Sequence, residues 1–115
     1  MLYMFLICGD PNRPGEFDPE IQQQHGALEQ ALRDKGAYAG GAGLMPVAMA
    51  KTVRLVDGET VVTDGPFPET KEAMGGYYVI DCKDEAEALE YAAKIPNAKK
   101  DAWIQVRQIA LWHPK

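Results

Sequence analysis

The chain has 115 residues, of which 46% are hydrophobic and 25% are charged, and its formal net charge is −5. This composition is typical of an ordinary globular protein and predicts one domain, residues 1–115, around a single core. The negative charge argues against nucleic-acid binding, which needs a basic surface. No targeting segment or membrane-spanning stretch is visible, and both cysteines lie in apolar runs, so we expect a cytoplasmic protein with reduced thiols and no membrane contact.

The first half of the chain predicts a strand, a helix and a second strand. Residues 2–8 form a continuous apolar run, which is typical of a strand buried on both faces. Asp18 and Pro19 are residues that favour a helix start, and Gly36 favours its end. Residues 37–44 contain three glycines, which we interpret as a short bent strand with close backbone packing or a bulge. The apolar face of the helix is formed by Ile21, Leu28 and Leu32.

The second half predicts a hairpin, a strand, a helix and a last strand. The β-rich runs 52–56 and 60–63 flank Asp57-Gly58, a strong signal for a tight hairpin turn. After a loop, residues 77–82 form a strand. Asp84 and Glu87 have the spacing of a capping box at the start of a helix that ends at Pro96. We expect Leu89, Ala92 and Ala93 to face the sheet, and residues 103–112 to form the last strand.

This order of elements is that of an α+β, ferredoxin-like β-α-β-β-α-β sandwich with an inserted hairpin. Two helices can cover only one face of such a sheet. The strands 2–8 and 77–82 are nevertheless apolar on both faces. We therefore expect a homodimer in which two copies pack sheet to sheet.

The connection 64–72 reads D-G-P-F-P-E-T-K-E, an unusual mixture of a turn, prolines and charges. Gly65 permits a sharp bend and the two prolines restrict their neighbours, so the loop should be stiff. A stiff loop with polar side chains can hold them in fixed positions at a site. It can equally be a rigid connection between two strands, and the residues alone leave both interpretations open.

His25 is the first candidate for chemistry, because it occupies a position on the inward face of the first helix where an apolar residue is expected. Imidazole titrates near neutral pH and is the natural proton carrier if a pocket lies there. A hydrogen-bonded core histidine is the plainer alternative.

The other candidates lie in or beside the 64–72 loop. Asp64 could orient or charge-balance the imidazole, or could bond to its own turn. Lys71 and Glu72, with Thr70, could bind an anionic substrate and position a proton, or form a solvated pair. Tyr77 and Tyr78 point to opposite faces, so one of them can place a hydroxyl near the loop while the other packs. The sequence does not decide which one faces the pocket, and Tyr77 is the substrate-binding candidate. The histidines and cysteines lack the spacing of a metal site, so we expect neither a metal nor a cofactor.

The sequence resembles the YCII-related family, specifically its DGPF branch, over nearly its whole length. The resemblance rests on Gly9-Asp10, His25-Gly26, the segment 40–44, the hairpin and the 64–72 motif followed by Gly75-Gly76-Tyr77. The usual family form has Ala where this chain has Pro68. The resemblance implies a dimeric ferredoxin-like α/β barrel and a His–Asp dyad, which maps to His25 and Asp64.

Two functions follow from these features. The first is a cofactor-free enzyme, of isomerase or lyase type, that moves a proton on a small anionic molecule. The second, implied by the resemblance, is a regulatory or ligand-sensing module linked to an alternative sigma factor and transcription initiation. A binding protein that holds a metabolite without changing it is a plainer third option.

Overall fold

The structure is a computed structural model that describes residues 1–10, 19–65, 73–96 and 102–114. A short 3-10 turn at Val47–Met49, which the sequence did not predict, precedes the hairpin. The other elements, in chain order, are β1 (Leu2–Gly9), α1 (Pro19–Asp34), β2 (Tyr38–Gly43), β3 (Lys51–Val56), β4 (Glu59–Asp64), β5 (Ala73–Asp81), α2 (Glu85–Lys94) and β6 (Ala102–Gln108).

Four strands form one antiparallel sheet in the order β2-β5-β1-β6, and β3 pairs with β4 in a separate hairpin. In the register of the sheet, Phe5 lies opposite Tyr78 on one side and Val106 on the other. The predicted sequence of elements is confirmed, and the α+β topology is compatible with a ferredoxin-like fold.

The core lies on the face of the sheet that the two helices cover. Phe5 and Ile80 are fully buried there, together with Leu32 of α1 and Ile95 after α2. On the opposite face, Leu2, Met4 and Leu6 of β1 are only half-buried, whereas Val79 of β5 is fully buried. The prediction that β1 is buried on both faces therefore holds fully for only one face of this chain.

Helix α1 follows the sequence pattern closely. Leu32 is buried and Leu28 packs against the core, while Gly36 adopts a left-handed conformation (φ 70°) just after the last turn, as predicted. The proposed cap Asp18 lies outside the described residues. In the described parts of the chain, neither α1 nor any other helix is both long and apolar enough to cross a bilayer.

Helix α2 begins as predicted but presents a different face to the sheet. The Glu87 amide donates to the Asp84 carboxylate at 2.8 Å, which confirms the N-cap. Of the predicted packing side, Ala92 is confirmed, because it packs against the core. The predictions for Leu89 and Ala93 are wrong, because Leu89 is 55% exposed and Ala93 is also exposed. The buried residues of the helix are Ala88 and Tyr91, so its contact face is rotated by about one residue.

The hairpin turn is confirmed at Asp57-Gly58, where both residues have positive φ values of 51° and 80°. The strands are one or two residues longer than predicted and pair Val53 with Val62. Both valines remain exposed.

The last strand is shorter than predicted, because β6 ends at Gln108 rather than at residue 112. The Ile109 amide still donates to the Leu2 carbonyl at 2.9 Å, after which regular pairing stops. The chain then brings the ring of Trp112 to about 4.0 Å from the position that a Cβ on Gly40 would occupy. The segment predicted as the end of a strand is therefore a tail that approaches β2.

Candidate functional site

A cleft of about 390 Å³ lies between the middle of α1 and the adjoining strands β2 and β5. Its volume is within the range of small-molecule sites. The helix contributes Gln22, His25, Gly26 and Glu29, and the sheet contributes residues 41–43 and 75–78, with Ile7 and Tyr38 beside them.

His25 reaches this cleft because the helical repeat that buries Leu28 and Leu32 turns it towards the sheet. Tyr78 meets it from β5, on the same face as Ile80. Nδ1 of His25 lies 2.6 Å from the Tyr78 hydroxyl, and the two ring centroids are 5.7 Å apart with planes inclined by 23°. The imidazole is thus fixed by a hydrogen bond and by a nearly parallel ring.

Burial raises the pKa of Tyr78 to about 12, and the negative charge of Glu29 adds to the effect. The phenol therefore keeps its proton throughout the neutral range. A neutral hydroxyl can donate to a bare Nδ1 or accept from a protonated one. The contact can persist while the imidazole gains and loses a proton.

Glu29 is a functional candidate that the sequence reasoning missed. It lies one helical turn after His25 and lines the same cleft. Its Oε2 is 3.6 Å from Nε of Arg33, whose guanidinium lies 4.4 Å above the ring of Tyr38. The pKa of Tyr38 is raised, first by burial and then by its hydrogen bond to Glu29. The i, i+4 spacing from His25 was the signal that could have identified Glu29.

Asp64 lies apart from this group. It ends β4, its carboxylate pairs with Lys51 of β3, and its side chain is 84% exposed. The described residues that line the cleft do not include it. The predicted bend follows at Gly65 (φ 78°), whose carbonyl accepts from the Thr52 hydroxyl at 2.6 Å. Within one chain, the structure brings His25 together with Tyr78 rather than with Asp64, and the dyad stays a prediction.

Three of the remaining candidates, Thr70, Lys71 and Glu72, lie outside the described residues. Tyr77 does line the cleft, but the hydroxyl bonded to His25 belongs to its neighbour Tyr78. Across residues 1–10, 19–65, 73–96 and 102–114, no three His, Cys, Asp or Glu side chains are grouped as metal ligands. The chemistry that this arrangement can perform is proton transfer by an imidazole held against a phenol.

Comparison with known proteins gives two matches over almost the whole chain. A family model described as the YCII-related domain matches residues 1–113. An uncharacterised protein, R00369 of Rhizobium meliloti (strain 1021), is 36% identical over 119 aligned positions, which cover 99% of this chain and 96% of that protein. The relative's name states no activity, so the site itself must supply the functional argument.

Proposed function

The chain belongs to the YCII-related family, and we propose that it is a small cofactor-free enzyme that moves a proton on a substrate bound beside His25. The sequence of residues 64–67, Asp-Gly-Pro-Phe, supports its place in the DGPF branch. The observation that carries the proposal is the 2.6 Å contact between His25 and Tyr78 on the wall of a ligand-sized cleft.

In the proposed reaction His25 acts as the general base. With its proton on Nδ1, the imidazole donates to the Tyr78 hydroxyl and carries its lone pair on Nε2. Nε2 takes a proton from the carbon next to a carbonyl group, and the imidazolium returns it to another atom of the same substrate. Return to a second carbon completes an isomerisation. In an elimination, the electron pair of the broken C–H bond forms a C=C double bond, and the leaving group departs with its own bonding electrons and takes the proton from the imidazolium.

The residues of the 64–72 loop have proposed roles that rest on the sequence alone. Asp64 would stabilise the imidazolium, and Lys71 would pair with an anionic group of the substrate, with Thr70 and Glu72 beside it. Tyr77 would contact the substrate from the cleft wall. The negative charge of Glu29 would repel an anion in the cleft, although the ion pair of Glu29 with Arg33 offsets part of that charge.

Solvent deuterium exchange tests the reaction without knowledge of the natural substrate. The protein is incubated in D₂O with a panel of small keto acids and unsaturated lactones, and proton NMR follows loss of the signals next to each carbonyl. We expect catalysed exchange for at least one compound and its loss in His25→Gln. His113→Gln, which changes an exposed histidine, is the matched control. Equal exchange by the His25→Gln protein would exclude His25 as the base.

We further propose that the chain forms a homodimer. The second face of the sheet carries apolar side chains that one chain leaves partly exposed, including Met4, Leu6 and Trp103. Packing of two such faces would remove them from water and close a dimeric α/β barrel. Light scattering should give a mass of about twice the 12.7 kDa of one chain; a monomeric mass contradicts the proposal.

The hairpin supports a second candidate function, a regulatory module that acts through a protein partner such as an alternative sigma factor. Val53, Leu55 and Val62 lie on one face of β3 and β4, and Leu55 is 76% exposed. An exposed apolar patch is typical of an interaction surface. Pull-down from native extract with wild type and Leu55→Ser should recover the partner only with wild type; recovery of no sigma factor counts against this function.

A further inference from the structure

Three glycines on the cleft walls have room for a side chain that they do not carry. They are Gly26 of α1, Gly43 of β2 and Gly75 of β5. A Cβ built on any of them meets none of the described atoms within 4 Å. None of the three has a positive φ, so the backbone conformation does not demand glycine there.

Gly41 and Gly76, which also line the cleft, have no room for a side chain. A Cβ on Gly41 would lie 2.9 Å from the Tyr77 carbonyl oxygen, and one on Gly76 would lie 2.8 Å from the Ala42 carbonyl oxygen. Close strand packing explains those two residues. It does not explain Gly26, Gly43 or Gly75, although glycine weakens a helix or a strand relative to alanine.

We propose that the cleft binds a flat, conjugated ring that lies against the main chain at Gly26, Gly43 and Gly75. The ligand class is an aromatic or enolic ring compound with an oxygen substituent directed at His25. This rests on the proposed function, because the ring would be the substrate whose proton His25 moves.

Two of these glycines lie side by side in the sheet. Gly43 and Gly75 lie on adjacent strands, where the Leu44 amide donates to the Gly75 carbonyl at 2.9 Å. Main chain without side chains presents planar peptide groups, which a ring face can approach to van der Waals distance. His25 and Tyr78 add two nearly parallel rings beside this surface. A space of about 390 Å³ is sufficient for a compound of one or two rings.

Matched pairs of flat and puckered probes test the shape of the site. Phenol is compared with cyclohexanol, and benzoate with cyclohexanecarboxylate, by amide chemical-shift changes in NMR titrations of the wild-type protein. We expect the flat member of at least one pair to bind with about 10-fold lower Kd and to shift the amides of Gly26, Gly43 and Gly75. Equal binding of both members in both pairs, or shifts only elsewhere, overturns the proposal.

Added methyl groups test the same surface from the protein side. Gly26→Ala should raise the melting temperature by roughly 4 °C, because alanine favours the helix, while weakening binding of the flat probe about 10-fold. Gly43→Ala should also weaken binding. Gly40→Ala is its control, since Gly40 lies on the same strand but does not line the cleft. Unchanged binding in both Gly26→Ala and Gly43→Ala overturns the proposal.

These readouts separate this proposal from the proton-transfer function. Flat-probe binding without any deuterium exchange supports the ring-binding site and counts against the acid–base reaction. Exchange that is equally fast for ring and open-chain compounds, and unaffected by Gly26→Ala, supports the reaction and overturns the ring-binding site.

Discussion

The hydroxyl of Tyr78 lies 2.6 Å from Nδ1 of His25, although 53 positions separate the two residues in the chain. A strand residue and a helix residue thereby form one hydrogen-bonded pair at the cleft. A neutral phenol holds the imidazole without adding a charge. It therefore orients the imidazole, since the hydroxyl can donate to a bare Nδ1 or accept from a protonated one.

Removal of the Tyr78 hydroxyl should impair the site more than the fold. In Tyr78→Phe the imidazole loses the group that orients it, and we expect catalysed deuterium exchange to fall at least about 10-fold. The lost hydrogen bond should lower the free energy of unfolding by about 1 kcal/mol. Exchange rates and urea unfolding curves measure the two effects.

Tyr91→Phe is the matched control for that experiment, because Tyr91 is buried in the core and does not line the cleft. It should leave the exchange rate unchanged. Asp64→Asn decides whether Asp64 belongs to the site: a fall as large as that of Tyr78→Phe supports the dyad, and an unchanged rate removes Asp64 from the mechanism. An active Tyr78→Phe protein would mean that His25 does not depend on the phenol.

The fold was predictable where local signals and burial agree. Asp57-Gly58 predicted the hairpin turn, and Asp84 predicted the start of α2, because both act within a few residues. The face of α2 was not predictable from hydrophobicity. The small Ala88 packs against the sheet while the larger Leu89 is exposed, since close helix packing favours a small side chain at the contact.

The candidate site, like the fold, was only partly predictable from the sequence. The position of His25 on the inward face of α1 identified it from the sequence. The choice between Tyr77 and Tyr78 could not be made, since adjacent residues of a strand face opposite ways and the answer depends on the register of β5 with β1. That register arises from pairing between distant parts of the chain.

Alkaline pH should destabilise the protein through its buried acids. Burial raises the pKa of Tyr78 from 10.0 to about 12 and that of the Cys82 thiol from 9.0 to about 11. As the pH rises, Tyr78 and Cys82 lose their protons at a lower pH in the unfolded chain than in the folded protein. Their stabilising contribution is therefore complete below about pH 9 and is lost as the pH rises towards about 12.

Urea unfolding midpoints across this range measure the decline. Tyr78→Phe and Cys82→Ala should each make the decline shallower, because each removes one group with a raised pKa. A decline of the same steepness in both variants would show that other groups control alkaline stability.

The N-cap of α2 should contribute measurably to the free energy of unfolding. Asp84→Ala removes the carboxylate that accepts from the Glu87 amide, and we expect a loss of about 1 kcal/mol. Glu90→Ala, on the exposed side of the same helix, should change stability by less than about 0.5 kcal/mol. Equal losses in the two variants would contradict a specific role for the cap.

Adjacent glycines of β2 should respond differently to an added methyl group. In Gly41→Ala the new Cβ would meet the Tyr77 carbonyl at 2.9 Å and the Tyr38 hydroxyl at 3.1 Å, so β2 must move away from β5. We expect a loss of about 1–3 kcal/mol in the free energy of unfolding. In Gly40→Ala the nearest atom belongs to the Trp112 ring at 4.0 Å, an ordinary contact, and stability should be unchanged or slightly higher. Chemical denaturation of both variants gives the comparison, and equal stability would show that β2 and β5 do not approach as closely as this register requires.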